Sequence, residues 1–152
     1  MLELKFENIK WCSGNHRNSF VFSKTGKMGC FPSKNYVQLQ KDFKKQYEEI
    51  LEKKKSTSTF FDKLDRVKVN EYIHLDIRFI KRVKPNKKDW VPPFFNTTPD
   101  IDNICKTLFD LLKKCEIIKD DKYIVEVNAK KELKETEDTY EPRHYDVILN
   151  FK

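Results

Sequence analysis

Motifs for thiol-bound metals and for histidine chemistry are absent from this sequence. Its four cysteines show no C-x-x-C spacing, which excludes a zinc knuckle. Its three histidines are scattered and form neither an H-x-x-x-H pair nor a Ser-His-Asp arrangement. Cys105 and Cys115 fall on the apolar face of a predicted helix, where a thiol behaves as a small hydrophobic group. We therefore expect these two cysteines to belong to the core.

Long apolar runs are absent as well, and glycine is scarce. No stretch approaches the roughly 20 residues that span a bilayer, and the first ten residues alternate like a strand instead of forming an apolar signal core. We expect a soluble, cytoplasmic protein without a membrane partner. All three glycines lie within residues 13–29, which predicts a loop or hairpin there.

Positive charge is abundant. Lysine and arginine total 31 against 24 acidic residues, which gives a net charge of +7 in a chain of 152 residues. This excess suits a polyanionic partner, namely DNA or RNA, with an acidic membrane surface as the alternative. The length predicts one domain, residues 1–152, with a core of its own.

Apolar periodicity predicts an α+β fold in which a small mixed sheet is packed by two main helices. The run EKKKSTST, which closes the first helix, is typical of a solvated end and linker. The predicted strands cover residues 2–9, 20–22, 67–79, 123–133 and 144–151, and the predicted helices cover residues 33–55 and 101–115.

The segment from Pro99 to Val127 concentrates acid in this basic chain. Asp100 and Asp102 open the second helix, and Asp120 and Asp121 lie in the turn that follows it. Carboxylates that converge repel one another, so such a cluster takes up a proton or binds a hard divalent cation. The pattern is compatible with a metal site.

Helical spacing places part of this set on one face. Asp102 and Lys106 are four residues apart and are therefore surface neighbours. Asp100, after Pro99, is expected to stay extended or to act as the N-cap, so that it converges with Asp102 at the helix start. The opposite, core-facing stripe consists of Ile101, Ile104, Cys105, Leu108, Leu111, Leu112 and Cys115.

A purely structural interpretation of the same acids stays open on spacing alone. Aspartate before a helix is a common N-cap, and the pair Asp120 and Asp121 is ordinary turn chemistry. On this interpretation the four carboxylates stabilise local structure and bind nothing.

The string PDIDNICKTLFDLLKKCEIIKDDKYIVEVNAKKE resembles the central motif of the RusA family of Holliday junction resolvases. That pattern has D-x-D-N, a lysine four residues after the second aspartate, an amphipathic helix, and D-D before a strand. Members are small homodimeric endonucleases that cut four-way DNA junctions. The resemblance thus implies a RusA-like fold, a homodimer, and branched DNA as the partner, without a small-molecule cofactor.

Residue roles follow from the same resemblance. It implies that Asp100, Asp102 and Asp121 hold Mg²⁺, or alternatively Mn²⁺, and that Asp120 assists. Lys106 is implied in catalysis near the scissile phosphate, and Asn103 in supporting Asp102 or touching DNA.

A second, weaker match lies near the N-terminus. The segment Cys12 to Asn18 resembles the family's P-S-x-N segment, with Cys12 in place of the proline. It implies DNA contacts by Asn15, His16 and Arg17.

A basic and aromatic stretch precedes the aspartates. Cations suit phosphates, and aromatic rings suit unstacked bases, so this stretch is compatible with a branched-DNA cleft. A proline-rich surface loop with an anchored tryptophan is the alternative. The candidate DNA contacts are Lys81, Arg82, Lys84, Lys87 and Lys88, and the neighbouring rings are those of Trp90, Phe94 and Phe95.

The resemblance, with the positive charge and the acidic segment, implies a metal-dependent endonuclease that makes paired nicks in four-way junctions during recombination and repair. Three other functions stay open: a nuclease for flaps or forks, a non-catalytic DNA-binding module, and a protein-interaction surface.

Overall fold

A computed structural model describes residues 1–12, 17–21, 24, 26–85 and 92–152. The predicted DNA contacts Asn15, His16, Lys87 and Lys88 lie outside these residues. The strands are β1 (Leu2–Lys10), β2 (Arg17–Val21), β3 (Met28–Pro32), β4 (Ile73–Val83), β5 (Ile124–Glu135) and β6 (His144–Phe151). The helices are α1 (Lys34–Lys53), α2 (Ser58–Val69) and α3 (Ile101–Lys114), and a single 3-10 turn covers Asp121–Tyr123.

The main sheet is mixed, as predicted. Its order is β1-β6-β4-β5, in which β4 and β5 are parallel and the other pairs are antiparallel. The parallel pair requires a crossover connection, and this connection carries α3. Strands β2 and β3 form a separate hairpin across the glycine-containing segment. The predicted α+β fold is confirmed.

The core lies between the main sheet and its helices. Alternate residues of β4 point into it, and Ile73, Leu75, Ile77 and Phe79 are buried. From α1, Phe43 stacks on Phe6 of β1 with ring centroids 4.0 Å apart. The predicted stripe of α3 is buried at Ile104, Leu108, Leu111 and Leu112. Cys105 and Cys115 are half-buried, and Ile101 is exposed.

One predicted boundary is wrong. Residues 58–69 form a third helix, α2, where a linker and the start of a strand were expected. Phe60 and Leu64, four residues apart, are buried against the core. Burial of this apolar face outweighs the strand-like alternation of Val67 and Val69, and the strand begins only at Ile73.

The connection between β5 and β6 is tied to the sheet by a buried polar network. Asp146 is 3 % exposed and accepts hydrogen bonds from Arg82 Nε at 2.9 Å and from Tyr140 Oη at 2.7 Å. Arg82 also pairs with Asp138 at 3.1 Å and lies over the Tyr140 ring. The network fixes the course of the chain on both sides of Arg143.

No helix among the described residues is long and apolar enough to cross a bilayer.

Candidate metal and DNA site at helix α3

Two carboxylates and a lysine lie within the first two turns of α3 and its N-cap. Asp100 is the N-cap and has extended backbone angles, φ −70° and ψ 150°, as the sequence predicted. Its side chain makes no capping hydrogen bond, whereas Asp102 lies in the first helical turn. Asp100, Asp102 and Lys106 are all exposed. Since no ion pair involves any of them within the described part of the chain, the three groups can meet a ligand.

The charge of Asp102 acts on the half-buried thiol of Cys105. Burial, and then the nearby carboxylate of Asp102, raise the pKa of the Cys105 thiol. Cys105 therefore stays a neutral core group beside the acidic helix start, which agrees with its predicted place on the apolar stripe.

The second acid pair lies at the other end of α3. Asp120 accepts a hydrogen bond from the Lys122 backbone N–H at 3.0 Å and so caps the 3-10 turn. This bond, together with one to Asp121, lowers the pKa of Asp120. Asp121 pairs with Lys113 at 3.3 Å. Turn chemistry accounts for Asp120, and an ion pair holds Asp121.

Lys113 forms ion pairs with two aspartates near the C-terminal end of α3. Burial alone would lower its pKa, but the hydrogen bonds and charges of Asp121 and Asp110 raise the pKa of Lys113 above the usual value. Its ammonium lies 3.6 Å from the Asp110 carboxylate. Lys113 thus keeps its charge and holds Asp121 near the level of Asp110 on the helix.

Helix length separates the two acid pairs within one chain. Asp110 is eight residues beyond Asp102 on α3, which is about 12 Å along the axis at about 1.5 Å per residue. Two oxygens bound to one Mg²⁺ are at most about 4 Å apart, since each lies about 2.1 Å from the ion. Even two ions about 4 Å apart extend this span to only about 8 Å.

The structure accordingly does not bring the four aspartates of one chain together. No group of three or more histidine, cysteine or acidic side chains suited to a metal occurs among the described residues. Asp100, Asp102 and Lys106 share the start of α3, whereas Asp120 and Asp121 follow its end. A single metal site that unites these residues stays a prediction.

The predicted basic contacts divide into two kinds. The Arg82 guanidinium is committed to Asp146 and Asp138. Burial lowers the pKa of Arg82, but the hydrogen bond to Asp146 and the charges of Asp146, Tyr140 and Asp138 together raise it above the usual value. Arg82 is therefore a structural residue. Lys84 is exposed, Lys81 lies over the Phe95 ring, and Arg17 belongs to β2. Asn103 is half-buried on α3.

Sequence reasoning missed a hollow beside the acidic helix start. A cavity of about 350 Å³ is lined by the ends of β1 and β6, the first turn of α1, and the two residues that precede Asp100. Because these segments are distant in the sequence, no local sequence motif predicts the cavity. Its lining residues are Lys10, Trp11, Cys12, Asn35, Thr98, Pro99, Arg143 and Tyr145.

Comparison with known families shows which family this chain resembles. A family model described as "Endodeoxyribonuclease RusA" covers residues 13–141, which include α3 and both acid pairs. Strands β1 and β6 lie outside the matched range. A comparison with curated proteins gave no match.

Proposed function

Because this chain belongs to the RusA family of Holliday junction resolving endodeoxyribonucleases, we propose that it nicks four-way DNA junctions with the help of a divalent cation. The observation that carries this proposal is the exposed start of α3. There Asp100 and Asp102 point two carboxylates outward without using them for a helix cap or, within the described residues, for an ion pair.

The donor set fits a hard cation. Mg²⁺ prefers oxygen ligands and is commonly held by one or two carboxylates together with substrate phosphate oxygens. Asp100 and Asp102 supply those carboxylates, and Mn²⁺ is the alternative ion. When bound, such an ion supplies a water of lowered pKa and electrostatic stabilisation of the phosphoryl transition state.

Lys106 adds positive charge to the same face. It lies one helical turn beyond Asp102, so its ammonium reaches a phosphate that approaches the two carboxylates. There it offsets the negative charge that grows on the phosphate during in-line displacement. Lys81, Lys84, Lys87, Lys88 and the segment with Asn15, His16 and Arg17 are proposed to hold the flanking DNA backbone.

Asp121 joins this site only from a second chain. Lys113 holds Asp121 beside Asp110, which lies about 12 Å from Asp102 along the axis of α3. A cation site that uses both acid pairs therefore combines Asp102 of one protomer with Asp121 of the partner subunit. A twofold axis near the middle of α3 creates two such sites at once. This arrangement supports a homodimer and supplies the two active sites that paired nicks require.

The charges along α3 favour this antiparallel pairing. On one face the order is Asp102, Lys106, Asp110, Lys113. Reversing a second copy against the first sets Asp102 opposite lysine and Lys106 opposite aspartate, so the face is complementary to itself. The same reversal carries Asp121, held by Lys113, toward Asp102 of the other protomer.

The test compares junction DNA with linear duplex, and the wild type with a variant that lacks the Asp102 carboxylate. We expect the protein to nick a synthetic four-way junction at symmetric positions in Mg²⁺, to leave linear duplex intact, and to stop in EDTA. Asp102→Asn should reduce the nicking rate by at least about 1,000-fold while junction binding persists.

The matched control is Asp62→Asn, which removes an exposed carboxylate from α2 and should leave the rate unchanged. Equal cutting of flaps and forks would make the protein a general branched-DNA nuclease. Tight binding without any cutting by the wild type would make it a DNA-binding module and overturn the proposal.

A further inference from the structure

The cavity beside Asp100, which we also call the hollow, has apolar side chains at its base and cationic side chains at its opening. Trp11 and Tyr145 are buried and Pro99 is half-buried, so the floor is largely ring and aliphatic surface. Lys10 and Arg143 are exposed at the rim, and neither forms an ion pair within the described part of the chain. Among the described residues, no acidic side chain lines the cavity. It therefore suits a ligand that is both anionic and aromatic.

The backbone around the hollow is fixed. The Trp11 N–H donates to the Arg143 carbonyl at 2.8 Å, which joins the end of β1 to the residue before β6. Arg143 has a positive φ of 66°, and the buried Arg82, Tyr140 and Asp146 network holds the chain just before it. Tyr145 Oη donates to the Thr98 carbonyl at 3.5 Å. The rim is thus tied to the segment that leads into Asp100.

Helix α1 adds a further preference for negative charge. Its first turn contributes Asn35 to the lining and contains no acidic residue. The N-terminal end of a helix carries the positive end of its dipole, which favours anions nearby. Lys10, Arg143 and this helix end therefore act in the same direction.

We infer that this hollow binds one unpaired nucleotide of the branched DNA, next to the phosphate that is cut. The base rests against Trp11, Pro99 and Tyr145, and its phosphate meets Lys10 and Arg143. A volume of about 350 Å³ falls within the roughly 300–1,000 Å³ range of small-ligand sites. The inference rests on the proposed nuclease function, since Thr98 and Pro99 connect the hollow directly to Asp100.

Such a site provides selection for branched DNA without reading a groove. Taking a base out of a paired duplex costs free energy, and the cost is least where the nucleotide is already unpaired. Stacking on aromatic side chains then adds binding free energy only for a base that has left the duplex. At the centre of a junction base stacking is interrupted, so displacing a nucleotide there costs less than inside a linear duplex.

The native thiol of Cys12 in the lining makes the contact directly testable. A tether that ends in a mixed disulfide with a small thiol is placed on one base at a time along a junction strand. Exchange with the Cys12 sulfur, which releases the small thiol, is followed in EDTA, where no cutting occurs. We expect attachment to Cys12 to be at least about tenfold faster for the base that flanks the nick than for bases three positions away. Cys12→Ser should abolish it.

A binding cycle measures what the contact contributes. An abasic site at the same nucleotide should weaken junction binding by wild type about tenfold. Asn35→Trp, which fills the cavity from its exposed edge, should weaken binding of the intact junction by the same factor. In this variant the abasic site should cause no further loss of affinity. Gln38→Trp, on α1 but outside the lining, is the matched control and should behave as wild type.

The outcomes separate this inference from the proposed function. If the unmodified junction is nicked in Mg²⁺ but tethers attach at equal rates along the strand, or if the abasic effect persists in full in Asn35→Trp, the nucleotide site is overturned while the nuclease stands. If the junction is not nicked at all, the proposed function fails.

Discussion

Asp146 is a buried carboxylate that forms an ion pair with Arg82. It is 3 % exposed, and it receives hydrogen bonds from Arg82, Tyr140 and the Asn8 backbone N–H. A buried carboxylate that loses its cation keeps the desolvation cost without the attraction that offset it. Arg82→Met should therefore lower the free energy of unfolding by about 3–5 kcal/mol in urea titration.

Two controls accompany that variant. Tyr140→Phe removes one hydrogen bond and should cost only about 1 kcal/mol, while Lys130→Ala, at an exposed position of β5, should stay within about 0.5 kcal/mol of wild type. If Arg82→Met were as stable as Lys130→Ala, Arg82 would return to the set of candidate DNA contacts.

Cys115 offers a pH-dependent probe of the packing under α3. Burial raises the pKa of its thiol to about 11. At pH 8 only about one thiol in a thousand is then ionised, and the thiolate is the reactive form. Iodoacetamide should therefore label Cys115 at least about 100-fold more slowly in the native protein than in urea, as measured peptide by peptide by mass spectrometry.

The raised pKa of the Cys115 thiol also makes the stability of the fold depend on pH. The folded chain holds this proton more tightly than the unfolded chain, in which a thiol has a pKa near about 8.5. The contribution of Cys115 to stability is therefore present below that value and is lost as pH rises toward 11. Equal labelling rates in native and urea-unfolded protein at pH 8 would contradict the burial of this thiol.

At the scale of the element, the start of α3 separates a functional carboxylate from a structural cap. Asp100 occupies the N-cap position without capping, whereas Ser33 Oγ caps α1 by accepting the Tyr36 N–H at 3.2 Å. Asp100→Asn should change the free energy of unfolding by less than about 0.5 kcal/mol, and Ser33→Ala should cost about 1 kcal/mol.

Activity should show the reverse order. Asp100→Asn is expected to lose junction nicking, and Ser33→Ala to retain it, when both are assayed at a temperature at which both are folded. A loss of stability in Asp100→Asn as large as that in Ser33→Ala would mean that Asp100 serves the helix.

Sequence periodicity predicted α3 and β6 well because each buries a regular apolar face. It failed at α2, where Val67 and Val69 continue the alternation of β4 although Phe60, Phe61 and Leu64 already have helical spacing. Local pattern alone left both assignments possible there. Packing of Phe60 and Leu64 against the core decides between them.

The candidate site was predictable only as far as local spacing reaches. Asp102 and Lys106 are neighbours because α3 is a helix, and that was visible in the sequence. The separation of Asp121 depends on how the chain turns after α3 and on the Lys113 ion pair. Lys10 and Arg143 line the same cavity because β1 pairs with β6, with Lys10 opposite His144, and because the Trp11 N–H donates to the Arg143 carbonyl.

At the scale of the whole molecule, we propose that two chains complete each active site. In this proposal one protomer supplies Asp100, Asp102 and Lys106, and the partner subunit supplies Asp121. Asp102→Asn and Asp121→Asn should each be inactive alone, because every site in either homodimer has lost a carboxylate.

The most direct measurement mixes these two inactive variants after separate purification and follows junction nicking in Mg²⁺. Random exchange makes half of the dimers mixed, and each mixed dimer has one intact site, so about a quarter of the wild-type sites should return. We expect nicking to recover toward about a quarter of the wild-type rate, mostly as single nicks instead of pairs. No recovery in mixtures shown to contain mixed dimers would contradict a site shared between two chains.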